Sequence, residues 1–330
     1  MKTVGFQGAQ TLSIWAVSDG RAGIENQALG LAEAIARRTP AAVHVRRVQL
    51  RPPWGVLPAW ATPFPRQALT DDSDAIEPPW PDLFIGCGRH SLPFALGVKS
   101  WSRGHTYTVQ LQDPRMNPRE FDLVVAPSHD ELEGENVLSM VGSCHRVTPE
   151  RIAAGAAAFG VDLSHLSPPC VGVLIGGKSK RQDISEANAM RIVDHLMQVR
   201  QDSGASLLVT LSRRTGAKAR AVFEARLKSQ SALFYDGDGP NPYFAILNAA
   251  DALLVTADSV NMTAEAASTG KPVMSIPVDG DMGKLLGFHA ALADHNRVRV
   301  FTGRLENWRY EPLMETDRIA QEVVVRFANR

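Results

Sequence analysis

Residues 250–278, ADALLVTADSVNMTAEAASTGKPVMSIPV, place an acid, a hydroxyl and a helix start at the end of an apolar strand. Ala252 to Val255 and Val273 to Ile276 have strand length and strand composition. Between them Asp258 or Ser259 can cap a helix, since a side-chain oxygen accepts from free backbone N–H groups one turn on. Thr269-Gly270-Lys271-Pro272 stops that helix. Val260, Ala264 and Ala267 fall at i, i+4 and i+7, a small apolar face for packing on a sheet. Asn261, Met262 and Glu265 share another face, nearer the loop. Unpaired N–H groups and the positive end of the helix dipole then sit at the carboxyl end of a parallel strand, where open α/β sheets take anionic ligands. An ordinary, well-capped βαβ unit reads the same from this pattern alone.

Two further loops of the C-terminal half carry matching chemistry. Gly176-Gly177-Lys178-Ser179-Lys180 follows the strand Val171 to Ile175. Its spacing is not that of a P-loop, but glycines, lysines and a hydroxyl suit a phosphate oxygen. Ser212-Arg213-Arg214-Thr215 follows Leu207 to Leu211, and adjacent arginines can clamp a diphosphate or face solvent. Asp236-x-Asp238 invites a metal reading, yet its neighbours are turn-formers and no further carboxylate lies at ligand spacing, so no metal is expected. In the N-terminal half, Ser18-Asp19-Gly20-Arg21-Ala22-Gly23 joins the strand Leu12 to Val17 to a helix from Ile24 to Arg38. Gly20 and Gly23 allow left-handed backbone there. The spacing is not GxGxxG, so a dinucleotide fingerprint is not supported. The loop offers Asp19, Arg21, Glu25, Asn26 and Gln27 as polar groups around its glycines. Gly86-Cys87-Gly88-Arg89-His90 closes another strand, with His90 a candidate acid or base and Arg89 a cation. Gln112-Asp113-Pro114-Arg115 closes the next.

The elements that must position these residues alternate short apolar strands with helices, which marks an α/β fold with parallel sheets. In the first helix Ala28, Leu31, Ala32 and Ile35 form the apolar stripe, and Glu33 and Arg37 can pair at i, i+4. Arg51 to Pro81 is a long connection rich in Pro and Trp, where Trp54, Trp60 and Trp80 are either functional or packing anchors. Thr148 to Pro169 reads as a link. We expect two Rossmann-like domains facing a cleft, residues 1–150 on the acceptor side and 151–330 on the donor side. The last helix, near Pro312 to Ala328, is placed against the first domain. A chain of 330 residues fits two domains.

Composition removes several classes. Lys plus Arg and Asp plus Glu are each 35, so no global field draws nucleic acid or membrane, and any anion site must be local. Three cysteines without a CxxC pair argue for a reducing compartment and against a zinc cluster. Each reads as a small buried residue, with Cys87 the least certain because glycines flank it. No convincing signal peptide or bilayer-length apolar run is present. A cytoplasmic setting follows, with the face of the inner membrane as a peripheral option.

Together the loops fit a group-transfer enzyme. The C-terminal half would hold a nucleotide-activated donor with a leaving diphosphate through the loops Gly176, Gly177, Lys178, Ser179 and Ser212, Arg213, Arg214, Thr215 and the helix capped at Asp258 or Ser259. The N-terminal half would hold an acceptor through Arg21, Gly23, Glu25, Asn26, Gln27, Arg89, Gln112 and Asp113. Asp19 is the first choice of base and His90 the second. The helix dipole and arginines would carry charge on the leaving diphosphate, so no cofactor or metal is needed.

SDGRAGIENQALGLAEAI, PDLFIGCGRHS, Gln112-Asp113-Pro114, VLIGGKSK, TLSRRTG and TADSVNMTAEAASTGKPV resemble the mitochondrial fission ELM family over residues 11–320. The resemblance implies a fold similar to GT-B glycosyltransferases and a nucleotide-diphosphate sugar as co-substrate, contacted by Asp258, Ser259, Met262 and Glu265, with Glu265 on ribose or sugar and Gly176 to Ser179 on phosphates. It also implies one of three roles: glycosyl transfer to an envelope or lipid-linked acceptor, nucleotide-sugar epimerisation, or a scaffold without chemistry. A plant member is implicated in recruiting a dynamin-like protein to mitochondria. This short chain looks more like the bacterial type.

Overall fold

A computed structural model describes residues 11–179 and 181–330; Lys180 of the glycine-lysine loop and the first ten residues lie outside the described set. The chain divides into two compact units, Met1–Arg146 with Met314–Arg330, and Val147–Leu313.

The first unit carries β1 (Leu12–Ser18), α1 (Ala22–Ala36), β2 (Ala41–Arg47), β3 (Leu83–Cys87), α2 (Leu92–Trp101), β4 (Tyr107–Leu111), β5 (Leu123–Pro127) and β6 (Val137–Met140). All six strands pair in parallel in the order β2-β1-β3-β4-β5-β6. Every residue of β3, β4 and β5 is buried, as expected of central strands covered on both faces. Ala28, Leu31, Ala32 and Ile35 of α1 pack on one face with Ile319, Ala320, Val323 and Phe327 of the chain's last helix. Trp15, Phe84, Phe94 and Val98 fill the other. Burying a Phe such as Phe84 or Phe94 is worth about 2 kcal/mol of transfer free energy. Trp80 is a packing anchor, edge-on to Trp15 and tilted on Trp101, whereas Trp60 is exposed.

Three sequence expectations are corrected here. Helix α1 begins at Ala22, because the Arg21 carbonyl already accepts from the Ile24 and Glu25 N–H groups. Gly23, Glu25, Asn26 and Gln27 therefore lie in the helix, and only Gly20 takes the left-handed conformation, at φ +80°. Glu33 pairs with Arg146, and Arg37 with Asp317, so the i, i+4 pair gives way to tertiary partners. Cys87, by contrast, is buried as expected: it is the last residue of β3, and burial raises its thiol pKa, which leaves it a poor nucleophile.

The second unit opens with α3 (Pro149–Phe159), which packs on α6 and so is part of this unit's fold. β7 (Cys170–Ile175), β8 (Gln182–Asp183), α4 (Glu186–Ser203), β9 (Ser206–Leu211), α5 (Ala217–Leu227), β10 (Leu233–Tyr235), α6 (Tyr243–Ala249) and β11 (Ala252–Thr256) follow. Then come α7 (Val260–Ala267), β12 (Val273–Ile276), β13 (Asp279–Gly280), α8 (Leu285–Asp294) and β14 (Val298–Val300); the last helix, α9 (Glu315–Ala328), returns to the first unit. The sheet order is β10-β9-β7-β11-β12-β14, again parallel throughout. The close-packed face of α7 is Thr263, Ala264, Ala266 and Ala267, with Val260 only partly covered. Small side chains there let the helix lie close to the sheet.

Both sheets reverse direction once. In the first, the chain leaves β1 for β2 on one side and then enters β3 on the other. In the second, it runs β7, β9, β10 outward and then enters β11 on the opposite side of β7. The carboxyl ends of β1 and β3, and of β7 and β11, are therefore the switch points where such sheets form crevices.

Candidate functional site

At the switch point of the second unit the loop after β7 is built against the loop after β11. Thr256 Oγ1 accepts from the Gly176 N–H at 2.7 Å, and Asp258 Oδ2 accepts from the Gly177 N–H at 2.8 Å. The loop after β9 closes the other side. Thr215 Oγ1 donates to the Gly176 carbonyl at 2.6 Å, and the Lys178 N–H donates to the Arg214 carbonyl at 2.9 Å. Ser212 Oγ in turn accepts from the Arg214 N–H at 3.1 Å. A Cβ on Gly176 would collide with the Asp258 carboxylate, and one on Gly177 with the Arg214 backbone. Both positions therefore need glycine for close approach.

The cations beside this loop are weakly engaged. Arg214 Nη2 is 3.9 Å from Asp258 Oδ2, and Lys178 Nζ is 4.0 Å from Asp183. Arg213 is exposed. The Asp258 side chain is fully buried, and its Oδ1 has no hydrogen-bond partner among the described residues. Burial raises its pKa against the pull of the Gly177 N–H, the Thr256 hydroxyl and Arg214. Ser259 is the cap of α7, accepting from the Met262 N–H at 3.4 Å. Ser179, read as a phosphate hydroxyl, instead closes a turn: its Oγ accepts from the Gln182 N–H at 3.0 Å and from the Arg181 N–H at 3.3 Å. Glu265, six residues into the helix from the cap, lies about 9 Å along its axis. It accepts from the Tyr243 hydroxyl, and burial pushes its carboxyl up to about 7 despite that bond.

At the switch point of the first unit the groups are tightly paired among themselves. Asp19 accepts from Arg21 Nε at 2.8 Å and the Arg21 N–H at 3.1 Å. Arg21 Nη2 lies 2.6 Å from the same carboxylate. Gln27 Oε1 accepts from Gln112 Nε2 at 3.1 Å and faces Cys87 Sγ, so α1 meets the ends of β3 and β4 there. Glu25 pairs with Arg47 at 2.6 Å and Asp113 with Arg115 at 3.1 Å, each turned to its own neighbour. Asn26 lies partly exposed on α1. His90 Nδ1 accepts from the Leu50 N–H at 2.9 Å, which leaves the proton on Nε2. Burial lowers its pKa, against the charge of Asp19. His90 thus braces the segment after β2, and Arg89 does the same by donating to the Val56 and Leu57 carbonyls.

Sequence reasoning missed Thr256, Tyr243 and His289. Thr256 ends an apolar strand as its one hydroxyl, a readable sign. Tyr243 opens a helix whose packing no spacing rule gives. His289 of α8 bonds the Ala257 carbonyl at 2.9 Å through Nε2, and burial lowers its pKa.

The family model for "Mitochondrial fission ELM1" matches residues 22–327. This chain belongs to that family. The Arabidopsis thaliana mitochondrial fission protein ELM1 is 30% identical over 277 residues, covering 76% of this chain and 65% of the Arabidopsis protein. This chain thus spans under two thirds of that relative. An uncharacterized Rickettsia prowazekii protein, RP120, is 24% identical over 354 aligned positions, 96% of this chain and 98% of that one.

Among solved structures, a Listeria monocytogenes protein assigned as a UDP-N-acetylglucosamine 2-epimerase matches this ELM1-family chain with TM-score 0.55 and 9% identity, over 97% and 89% of the two chains. The Methanocaldococcus jannaschii UDP-GlcNAc 2-epimerase in complex with UDP-GlcNAc and UDP matches with TM-score 0.53 and 13% identity, over 96% and 100%. The glycotransferase of kitacinnamycin matches with TM-score 0.50 and 13% identity, over 97% and 94%. The ELM1-family chain therefore has the α/β fold of the GT-B glycosyltransferases and related epimerases. No helix among the described residues is long and apolar enough to cross a membrane.

Proposed function

We propose that this protein binds the diphosphate of a nucleotide sugar at the β7–β11 switch point and transfers the sugar to an acceptor hydroxyl. The observation that carries this reading is the Gly176-Gly177 loop, held by Thr256 and Asp258 beside two loosely paired cations, Lys178 and Arg214. Such cations can turn to a diphosphate without breaking a close ion pair, and Arg214 can do so with two N–H groups. The Ser259-capped start of α7 adds its dipole. Glu265 lies at a distance suited to the ribose, whose hydroxyls would donate to its carboxylate. The M. jannaschii likeness, a protein crystallised with UDP-GlcNAc and UDP, favours a uridine nucleotide as the first ligand to try.

Acceptor chemistry is assigned to the first unit, with an envelope-type or lipid-linked glycan as acceptor. Asp19 is the base; its oxygens must first exchange the Arg21 bonds for the acceptor hydroxyl. Charge on the leaving diphosphate falls to Lys178, Arg214 and the helix start, so the reading calls for no metal or other cofactor.

Thermal unfolding against a panel of nucleotides and nucleotide sugars tests the donor site. A ligand at about 100 times its Kd should add about 2.7 kcal/mol of stability, an increment lost in Arg214→Ala and Glu265→Ala. Conversion of the donor with no acceptor present would replace transfer by epimerisation. Silence across the panel would leave a scaffold related to the plant fission protein. With an acceptor in hand, Asp19→Asn should lower turnover about 10²–10⁴-fold and leave donor binding unchanged.

A further inference from the structure

His289 is bonded to the loop on which the proposed donor site is built. Its Nε2 lies 2.9 Å from the Ala257 carbonyl. A carbonyl can only accept, so Nε2 carries the proton and the neutral ring has its lone pair on Nδ1. Nδ1 makes no hydrogen bond among the described residues and is not sealed from solvent. The ring is half-buried and lies edge-on to Phe288.

Ala257 is fixed on every side. Its N–H donates to the Ile276 carbonyl of β12 at 2.9 Å, and its side chain is buried. The Ser259 N–H closes the loop on the Thr256 carbonyl at 3.2 Å. Thr256 and Asp258, the neighbours of Ala257 in the chain, are the residues that take the Gly176 and Gly177 N–H groups. A shift of the Ala257 carbonyl would disturb both contacts, and His289 is the side chain that holds this carbonyl.

The charge of the ring depends on the same placement. Asp258 is the charged group that bears on it from the loop and favours the imidazolium, while burial opposes it. α8 also packs on β14, whose Arg299 is paired with Glu306 at 2.6 Å and lies over Trp308. On α8 itself Lys284 and Asp294 stand five residues before and after His289, each about 7.5 Å along the axis and of opposite sign. A diphosphate at the Gly176-Gly177 loop would add to the negative charge of Asp258 and shift the balance toward the imidazolium. Nδ1 is open to receive the proton, and a charged ring donates more strongly to Ala257.

We propose that His289 is a positioning residue whose charge is coupled to the ligand: it takes a proton on Nδ1 when the diphosphate of a nucleotide sugar binds, and in that state holds the Ala257 carbonyl more firmly. The coupling rests on the donor site proposed above and gives that site a pH dependence. Proton uptake on binding means that affinity falls as pH rises through the range in which the ring loses its proton.

The test is calorimetry with UDP-GlcNAc. Its diphosphate is esterified at both ends and so lacks the second ionisation that a terminal phosphate has at about pH 6. His289→Gln keeps an N–H donor for Ala257 but cannot titrate, whereas His289→Phe keeps a ring and loses the donor. The ratio of wild-type to His289→Gln affinity cancels what Asp258 and Glu265 contribute by their own titration. That ratio should fall about three- to tenfold from pH 5.5 to pH 8. Binding measured in buffers of different ionisation enthalpy should take up more protons in the wild type than in His289→Gln. His289→Phe should bind more weakly than His289→Gln at both pH values, with far-ultraviolet circular dichroism showing the variants folded. The comparison with His289→Gln stands even if His289→Phe does not fold. A constant ratio, or equal proton uptake, would overturn the coupling and leave the donor site intact. Equal affinity of the Phe and Gln variants would show the Ala257 bond to be idle and overturn the positioning role. No binding of UDP-GlcNAc at either pH, together with silence across the nucleotide panel, would remove the donor site and the coupling with it.

Discussion

The two units place an aspartate at the same kind of position, the end of a strand at a sheet's switch point, and use it in opposite ways. Asp19 is closed by Arg21, a 70% exposed arginine from its own loop, through contacts of 2.6–3.1 Å. Asp258 faces inward, fixes the Gly177 N–H, and leaves Arg214 at 3.9 Å and 52% exposed. The neighbours follow suit. In the first unit Arg47, Arg115 and Arg89 are all held by close partners, whereas in the second Lys178 stands 4.0 Å from its carboxylate. A cation count would score both loop sets as anion sites. The difference in pairing is what favours the second unit in the function proposed above.

The glycines give the sharpest break. Gly177→Ala places a methyl against the Arg214 backbone, which cannot rotate away. We expect a loss of about 3 kcal/mol in chemical unfolding and no nucleotide-induced stabilisation. Gly216→Ala, where the nearest atom to the new methyl is 3.8 Å off, should cost under about 1 kcal/mol and keep ligand binding. Equal losses in the two would mean the loop is not closely built.

Next in size is a pH effect carried by Glu265. Burial raises its carboxyl from 4.5 to about 7, so the folded chain holds a proton there that the unfolded chain has released. Stability therefore falls as pH rises through that window, by on the order of 2–3 kcal/mol. Urea unfolding at pH 5 and pH 8 should show this drop in the wild type and a smaller one in Glu265→Gln. An unchanged slope in the variant would place the titration elsewhere.

Much of the frame was legible because parallel central strands are apolar on both faces. The runs at Leu83–Cys87, Tyr107–Leu111 and Ala252–Thr256 stand out for that reason. The glycine stop at Gly270, with φ +74°, reads directly from local chemistry, and so does a cap at Asp258 or Ser259, of which the structure uses Ser259. Helices α2 and α5 did not stand out: α2 is apolar on most sides, and α5 mixes charge and alanine without a clear stripe. Side-chain partners were the least legible. Nothing in the spacing tells that Glu33 prefers Arg146, that Ser179 closes its own turn, or that Arg21 covers Asp19 while Arg214 stands off Asp258. Those choices are set by where distant loops meet, which local periodicity does not encode.

The smallest effects return to the two arginines. Arg214→Ala removes a cation that makes no close ion pair, so stability should change little while nucleotide diphosphate affinity falls about 10–100-fold and becomes less sensitive to salt. Arg21→Ala should do the reverse. It leaves the buried Asp19 carboxylate without the exposed arginine that closes it, for a stability loss of about 1–2 kcal/mol, with the nucleotide Kd unchanged in calorimetry. A fall in nucleotide affinity for Arg21→Ala matching that of Arg214→Ala would erase the distinction between the units, because a cation so closely paired within its own loop would then be reaching the donor as well.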